Sequence, residues 1–199
     1  MERAEIYNLV RDAKVTGFAI VSGDRHSFWA GYAAADLPPG KFEPVGLSFV
    51  GGSLVSPGVM ESYEHRLPKD APLRSLFLVD RDGGKWDWTF NMLLMHGVRS
   101  CLEYAKTLDL EKARALSNPD LAPHIEFVDL GGHGYAKVQL SHDEMRTEFV
   151  CIPRPIKRSE NQDGGPIRYR VLHTAALWKS GERPKLKTSV LEGDVGLSI

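Results

Sequence analysis

The chain has little cysteine, no long apolar run and almost no net charge, and each absence excludes a class of protein. Two of its 199 residues are cysteine, too few for a disulfide-stabilised fold. No apolar stretch approaches the roughly 20 residues that a membrane helix needs. Lysine and arginine number 25 against 26 aspartates and glutamates, so no charge excess favours nucleic acid or anionic lipid. We therefore expect neither a nucleic-acid nor a membrane partner.

The overall composition is that of a globular protein with a substantial core. Apolar residues make up 42% of the chain and charged residues 26%. No internal repeat, low-complexity segment or long linker divides the chain, so we expect a single domain over residues 1–199. The N-terminal stretch MERAEIYNLVRDAK is charged and amphipathic and has no apolar signal core. We therefore expect no secretory signal within the chain as given.

The first half of the chain has the periodicity of alternating helices and buried strands. Residues 2–14 predict an amphipathic helix whose apolar positions are Ile6, Leu9, Val10 and Ala13. The apolar run 18–21 predicts a strand covered on both faces. Residues 45–50 and 73–79 predict two further buried strands. One long helix is predicted over residues 90–105, and a shorter one follows over 109–116, with Asp109 as its N-cap.

The second half is predicted to be rich in antiparallel strands. Apolar and polar residues alternate around residues 125–127 and 136–140, and a further apolar pair, Phe149 and Cys151, follows a polar connection at 141–144. Residues 168–178 predict a last strand. The fold class expected from the whole pattern is α/β, with a layered mixed sheet and covering helices.

The most informative segment is Val21-Ser22-Gly23-Asp24-Arg25-His26-Ser27-Phe28-Trp29. It places a carboxylate and an imidazole, separated by one residue, directly after a predicted strand, where α/β sheets usually build their sites. Aspartate supplies a hard oxygen ligand, and neutral histidine supplies nitrogen to a metal such as iron or zinc. Asp24 and His26 are therefore candidate metal ligands. A loop pair without metal, or a helix cap, is the alternative that the residues leave open.

The same segment resembles the final metal-binding motif of the PhoD-like alkaline phosphatases, a branch of the metallophosphoesterases. In that family a buried strand ends in Gly-Asp-x-His, closely followed by Trp, as at Gly23–Trp29 here. Three further segments resemble the family in the same order along the chain: 52–58 its Ser/Pro/Gly loop, and 123–129 with 134–138 its late strand pair. The resemblance extends from the first helix to about Ile152.

The resemblance implies a fold, an activity and a set of cofactors. The fold would be part of a metallophosphoesterase-like α-β-β-α sandwich. The activity would be that of a PhoD-like alkaline phosphatase or phosphodiesterase, a metal-dependent phosphoester hydrolase. Asp24 and His26 would bind metal, and the ions associated with the family are Ca²⁺ and Fe³⁺. A phosphate ester would be the substrate, and an exported or periplasmic location is implied.

Two other residues are candidates for contact with a substrate. Arg25 lies between the two candidate ligands and could donate to phosphate oxygens. His133 lies in Gly131-Gly132-His133-Gly134-Tyr135, which we interpret as a flexible loop at a pocket mouth. The alternatives are a solvated arginine on an exposed loop and a plain glycine-rich turn. No residue is assigned as a catalytic acid, base or nucleophile.

The motifs that the chain lacks limit the implied activity. Family members carry most of their metal ligands upstream, on Asp-bearing and Asn-His-bearing loops, and no Gly-Asn-His or Asp-x-x-x-Asp motif is present here. We therefore expect the chain to hold only the C-terminal part of such an active site. A non-catalytic fragment or accessory domain, and metal binding without turnover, are the alternatives. A piece of this kind would expose an apolar face, through which homo-oligomers could form.

Overall fold

The computed structural model describes residues 2–154, 158, 160–161 and 165–199. Its helices are α1 (Glu2–Asp12), α2 (Val59–Arg66), α3 (Thr89–His96), α4 (Val98–Thr107) and α5 (Leu110–Arg114). Its strands are β1 (Ala19–Ser22), β2 (Phe28–Ala34), β3 (Pro44–Val50), β4 (Val79–Arg81), β5 (Lys85–Asp87), β6 (Ile125–Asp129), β7 (His133–Leu140), β8 (Glu144–Ile152), β9 (Tyr169–Ala176) and β10 (Lys187–Gly193). No helix in these ranges is long and apolar enough to cross a bilayer.

Two four-stranded sheets organise the fold. The first sheet is mixed, in the order β1-β3-β2-β6, with β1 parallel to β3 and the other neighbours antiparallel. The second is antiparallel throughout, in the order β10-β9-β8-β7. Strands β4 and β5 form a separate small ribbon. The α/β fold class and the mixed sheet predicted from the sequence are confirmed.

Side-chain alternation on the first sheet places the core on both of its faces. Phe28 and Phe127 point towards the second sheet, where the rings of Phe28 and Phe149 lie 4.9 Å apart. The neighbouring residues Trp29 and Val128 point the other way and pack against α2 and α3. Because successive side chains of a strand face opposite sides, the first sheet is covered on both faces. The layers are therefore helix, sheet and sheet.

The outer face of the second sheet is polar. Arg170 of β9 pairs with Glu148 of β8 at 2.6 Å, and Tyr135 of β7, on the same face, is half-exposed. Burial of this face would remove its charged side chains from water, which is costly, and the face is therefore exposed to solvent. The described residues thus form three layers in the order α-β-β.

Two elements differ from the sequence prediction because of local backbone and hydrogen-bond chemistry. Residues 73–79 do not form a buried strand: a 3₁₀ turn at Arg74–Leu76 precedes the short β4. Arg74 holds this turn by donating to the Leu67 carbonyl at 2.8 Å and to Asp80. The helix predicted over residues 90–105 is two helices, since Gly97 adopts a φ of 93° between α3 and α4.

Two predicted apolar faces are oriented differently from the expectation. Helix α1 buries Tyr7 and Val10, whereas Ile6 is 53% exposed and Leu9 68% exposed. Strand β1 is not covered on both faces, because it is an edge strand and Val21 is 54% exposed. A continuous apolar run is therefore a poor guide to burial at a sheet edge, where one neighbour is absent.

Other local predictions are confirmed. The Asp109 side chain accepts a hydrogen bond from the backbone of Lys112 at 3.1 Å and so caps α5. Strands β7 and β8 form a hairpin across residues 141–143. Strand β10 is absent from the prediction, since its Lys, Thr, Ser and Glu residues give no apolar alternation.

Candidate metal site

The Asp-x-His motif lies on the loop that joins β1 to β2. Asp24 has a φ of 68° and His26 a φ of 49°, so both residues adopt the left-handed conformation. This conformation costs a non-glycine residue about 1–2 kcal/mol, although aspartate and histidine adopt it more often than most. Two such residues on one loop indicate that the surrounding structure holds the loop backbone in a conformation that these residues do not prefer.

The imidazole of His26 is held by a backbone carbonyl. Its Nδ1 lies 2.9 Å from the carbonyl oxygen of Pro57. Because a carbonyl oxygen only accepts hydrogen bonds, Nδ1 carries the hydrogen, and in the neutral ring Nε2 is then the unprotonated nitrogen. Metal-binding histidines are commonly oriented in this way, with one ring nitrogen bonded to a carbonyl and the other free to coordinate.

The side chain of Asp24 is available to a ligand. The residue is exposed, and its carboxylate makes no hydrogen bond or ion pair with any residue that the structure describes. The carboxylate is thus an uncommitted oxygen donor two residues from the oriented imidazole of His26. The side chains of both predicted metal ligands, Asp24 and His26, are therefore free to coordinate an ion.

Arg25 is stacked on a neighbouring ring rather than paired with a carboxylate. Its guanidinium lies 5.2 Å from the centre of the Trp29 ring, a cation–π distance. Trp29 is fixed in turn, since its indole N–H donates to Ser27 Oγ at 2.8 Å. The cation is thus held at the surface beside the candidate ligands. Its contact with a substrate stays a prediction.

The segments that resemble the phosphatase family are neighbours in space. The amide of Gly51 donates to the Ser22 carbonyl at 2.9 Å, which brings the start of the 52–58 loop to the end of β1. Ser53 then forms a bridge with His133, and a Cβ added at Gly58 would lie 3.3 Å from the His26 carbonyl oxygen. The 52–58 loop therefore contacts both the His26 loop and the start of β7.

His133 is placed differently from the expectation of a flexible loop. It is the first residue of β7, paired with Ile152, and it is 2% exposed. Its Nε2 lies 3.1 Å from Glu61 Oε2, while its buried Nδ1 has no hydrogen-bond partner among the described residues. Strand pairing with β8 therefore gives this glycine-rich segment a regular conformation. A contact between His133 and a substrate stays a prediction and requires the ring to become exposed.

A partly buried ion-pair network that the sequence did not reveal lies beside the loop. Arg154 pairs with Glu61 at 2.6 Å and with Glu64 at 3.0 Å, and its guanidinium lies 4.6 Å from the centre of the Trp88 ring. Burial raises the pKa of Glu61, but its hydrogen bond from Arg154 and the donation from Gly58 outweigh this, so that the pKa is lowered overall. Glu61 is therefore ionised at neutral pH.

A cleft of about 400 Å³ borders this network. Trp86, Trp88, Arg154 and Arg168 are among its lining residues. Arg154 is committed to two glutamates, and Arg168 lies 3.8 Å from the buried carboxylate of Asp129. The cleft thus contains guanidinium groups whose charges are already balanced, and it is not a strongly cationic surface.

Thiol chemistry is disfavoured by the state of both cysteines. Cys101 and Cys151 are free and buried. Burial raises the pKa of the Cys101 thiol to about 11 and that of Cys151 to about 12. Since the thiolate is the nucleophile and the metal ligand, neither residue suits either role at neutral pH.

The donors present fit part of a metal site. Asp24 and His26 have suitable chemistry, but the described ranges contain no group of three or more His, Cys, Asp or Glu residues placed to hold a metal. A catalytic zinc commonly takes about three protein ligands, and calcium takes roughly six to eight oxygens. The two residues therefore fit as members of a larger set of ligands.

Comparison with known proteins does not assign the chain to a family. No family model matches the chain, and no curated protein matches it. Among solved structures, the chain is similar to a structure of PhoD with a TM-score of 0.48 and 13% sequence identity. The match covers 96% of this chain and 25% of that one, so the chain spans about a quarter of that protein's length. A likeness of this level assigns neither family nor activity.

Proposed function

We propose that this chain contributes Asp24 and His26 to the metal site of a PhoD-like phosphoester hydrolase. The observation that carries the proposal is the hydrogen bond between His26 Nδ1 and the Pro57 carbonyl, 2.9 Å long, which leaves Nε2 free to coordinate. It supports a ligand role because metal-binding histidines commonly donate one ring N–H to a carbonyl, which orients the other nitrogen towards the ion. The uncommitted carboxylate of Asp24 supports the same role.

Ca²⁺ and Fe³⁺ are the ions that the family resemblance implies, with a phosphate ester as substrate. When bound, such ions would stabilise negative charge on the phosphate oxygens and activate water for attack. In this chain Asp24 and His26 hold metal, while Arg25, fixed on Trp29, offers guanidinium N–H groups to the phosphate. The location implied by the resemblance, outside the cytoplasm, is part of the same proposal.

A second candidate is a non-catalytic fragment or accessory domain that retains the fold. It is favoured by the small number of donors, since no third His, Cys, Asp or Glu joins Asp24 and His26 within the described ranges. The half-exposed Val21 at the open edge of the first sheet is also consistent with this candidate, because a fragment would leave apolar surface uncovered. Self-association through such a face is a proposal that belongs with it.

Measurement of phosphoester hydrolysis by the protein distinguishes the two candidates. Chromogenic phosphate monoesters and diesters are supplied with Ca²⁺ and Fe³⁺, and the variants Asp24→Asn and His26→Gln are compared with the parent. We expect each variant to lower kcat/KM by more than the roughly 10- to 100-fold that loss of an outer-shell partner costs. The matched control is His142→Gln, because the His142 side chain is 91% exposed and lies in the β7–β8 connection rather than on the β1–β2 loop.

Two outcomes contradict the hydrolase proposal. Hydrolysis that persists unchanged in both variants would place the chemistry elsewhere. A folded protein that binds metal through Asp24 and His26 but shows no turnover would favour the accessory domain.

A further inference from the structure

The carboxylate of Glu61 connects three separate parts of the chain. Its Oε2 accepts the Gly58 amide at 2.6 Å and lies 3.1 Å from His133 Nε2. Its Oε1 lies 2.6 Å from Arg154 Nη1. Because the side chain is only 23% exposed and every one of these contacts is to a donor, the carboxylate has little freedom to move.

Gly58 follows Pro57, the residue whose carbonyl holds His26. The peptide unit between them contains both the Pro57 oxygen and the Gly58 amide, and this unit is planar and rigid. One end of that unit accepts from His26 Nδ1, and the other end donates to Glu61 Oε2. Any rotation of this peptide therefore changes both hydrogen bonds together.

The surrounding backbone leaves the peptide little space. A Cβ added at Gly58 would lie 3.3 Å from the His26 carbonyl oxygen and 3.4 Å from that of Leu130. Gly58 is buried, whereas Pro57 is exposed. The loop thus packs closely on the Gly58 side, where Glu61 holds it, and is open to solvent on the side that faces His26.

We propose that Glu61 is a positioning residue for His26, acting through the Pro57–Gly58 peptide to hold the Pro57 carbonyl where it accepts from Nδ1, so that Nε2 is the ring nitrogen left for a ligand. The inference rests on the proposed function only in treating His26 as a metal ligand. The effect on the ring itself is present without metal. Arg154 contributes to this positioning to a smaller extent, because it binds the other oxygen of the Glu61 carboxylate.

NMR of the His26 ring nitrogens in the metal-free protein tests the inference. In the parent we expect a protonated Nδ1 and an unprotonated Nε2. In Glu61→Gln the amide places a donor or a weaker acceptor opposite the Gly58 amide, so we expect a mixture of both tautomers. Arg154→Met should give a smaller change in the same direction, since Glu61 keeps Gly58 and His133.

Glu64→Gln is the matched control. Glu64 lies on the same helix and pairs with the same arginine, at 3.0 Å, but its carboxylate bonds the indoles of Trp86 and Trp88 rather than Gly58. We expect its His26 spectrum to equal that of the parent. A general loosening of the network would change both variants equally and would overturn the inference.

Titration with Co²⁺, followed by broadening of the His26 signals, separates the inference from the proposed function. We expect Glu61→Gln to weaken Co²⁺ binding roughly 10-fold, the lower end of the range for an outer-shell partner. If the tautomer changes while the parent binds no Co²⁺, the positioning role stands and the metal site fails. If Glu61→Gln and Arg154→Met both leave the His26 nitrogens unchanged, the positioning role is overturned.

Discussion

Replacing Asp129 with alanine is expected to lower the free energy of unfolding by about 2–6 kcal/mol, because it leaves two buried donors unsatisfied at a cost of about 1–3 kcal/mol each. Asp129 is fully buried at the end of β6. Its carboxylate accepts from the Tyr169 hydroxyl at 2.7 Å and from the Gly131 amide at 3.1 Å, and Arg168 lies 3.8 Å away. The substitution would leave all three donors without their acceptor.

Urea unfolding of Asp129→Ala beside Tyr169→Phe measures this effect. Tyr169→Phe removes one donor and leaves the carboxylate bonded to Gly131, so we expect a smaller loss, about 1.5–3 kcal/mol for a hydrogen bond to a charged group. Burial is the main reason that the pKa of Tyr169 lies well above its ordinary value, and the hydroxyl stays protonated. Equal losses in the two variants would contradict a role of Asp129 in binding several donors at once.

The second large effect is a loss of stability in acid caused by His173. This residue is fully buried among the rings of Phe49, Phe127 and Phe149, and burial lowers its pKa to about 3 from the ordinary 6.5. Below pH 6.5 the unfolded chain binds a proton that the folded chain does not. Stability therefore falls as the pH decreases from 6.5 towards 3, and the loss at pH 4 is about 3 kcal/mol relative to pH 7.

The variant His173→Phe isolates this contribution. Phenylalanine suits the aromatic surroundings and has no titrating group, although it loses the hydrogen bond between Nδ1 and Thr188 Oγ1. We expect unfolding free energies measured between pH 4 and pH 7 to vary less in the variant, by about the same 3 kcal/mol. The exposed control His142→Gln should follow the parent. An unchanged pH profile in His173→Phe would show that the acid loss arises elsewhere.

Local signals in the sequence predicted those parts of the fold that depend on neighbouring residues. The Asp109 cap and the β7–β8 hairpin each depend on a few adjacent side chains, and both are confirmed. The pattern does not predict the break at Gly97 because the apolar face continues through it, and a glycine by itself does not require the φ of 93° that it adopts here. The orientation of α1 was missed for a related reason, since the partner surface decides which apolar residues are buried.

The same distinction between local signals and long-range contacts applies to the candidate site. Asp24 and His26 could be found because they lie two positions apart in the sequence and follow a strand. Glu61, Glu64 and Arg154 could not, because their charges are common on protein surfaces and their contact joins residues about ninety positions apart. His133 was noticed for its glycine-rich surroundings, but its burial against Glu61 depends on strand pairing that composition does not reveal.

The most direct test of the central claim is a titration of the parent and of Asp24→Asn with Co²⁺, observed through the NMR signals of every histidine ring. The account predicts that His26 broadens first and saturates, and that Asp24→Asn weakens this binding by more than about 10-fold. Exposed His142 should respond only weakly and in both proteins alike. Equal broadening of His26 and His142, or an unchanged affinity in Asp24→Asn, would contradict the assignment of Asp24 and His26 as a metal-binding pair.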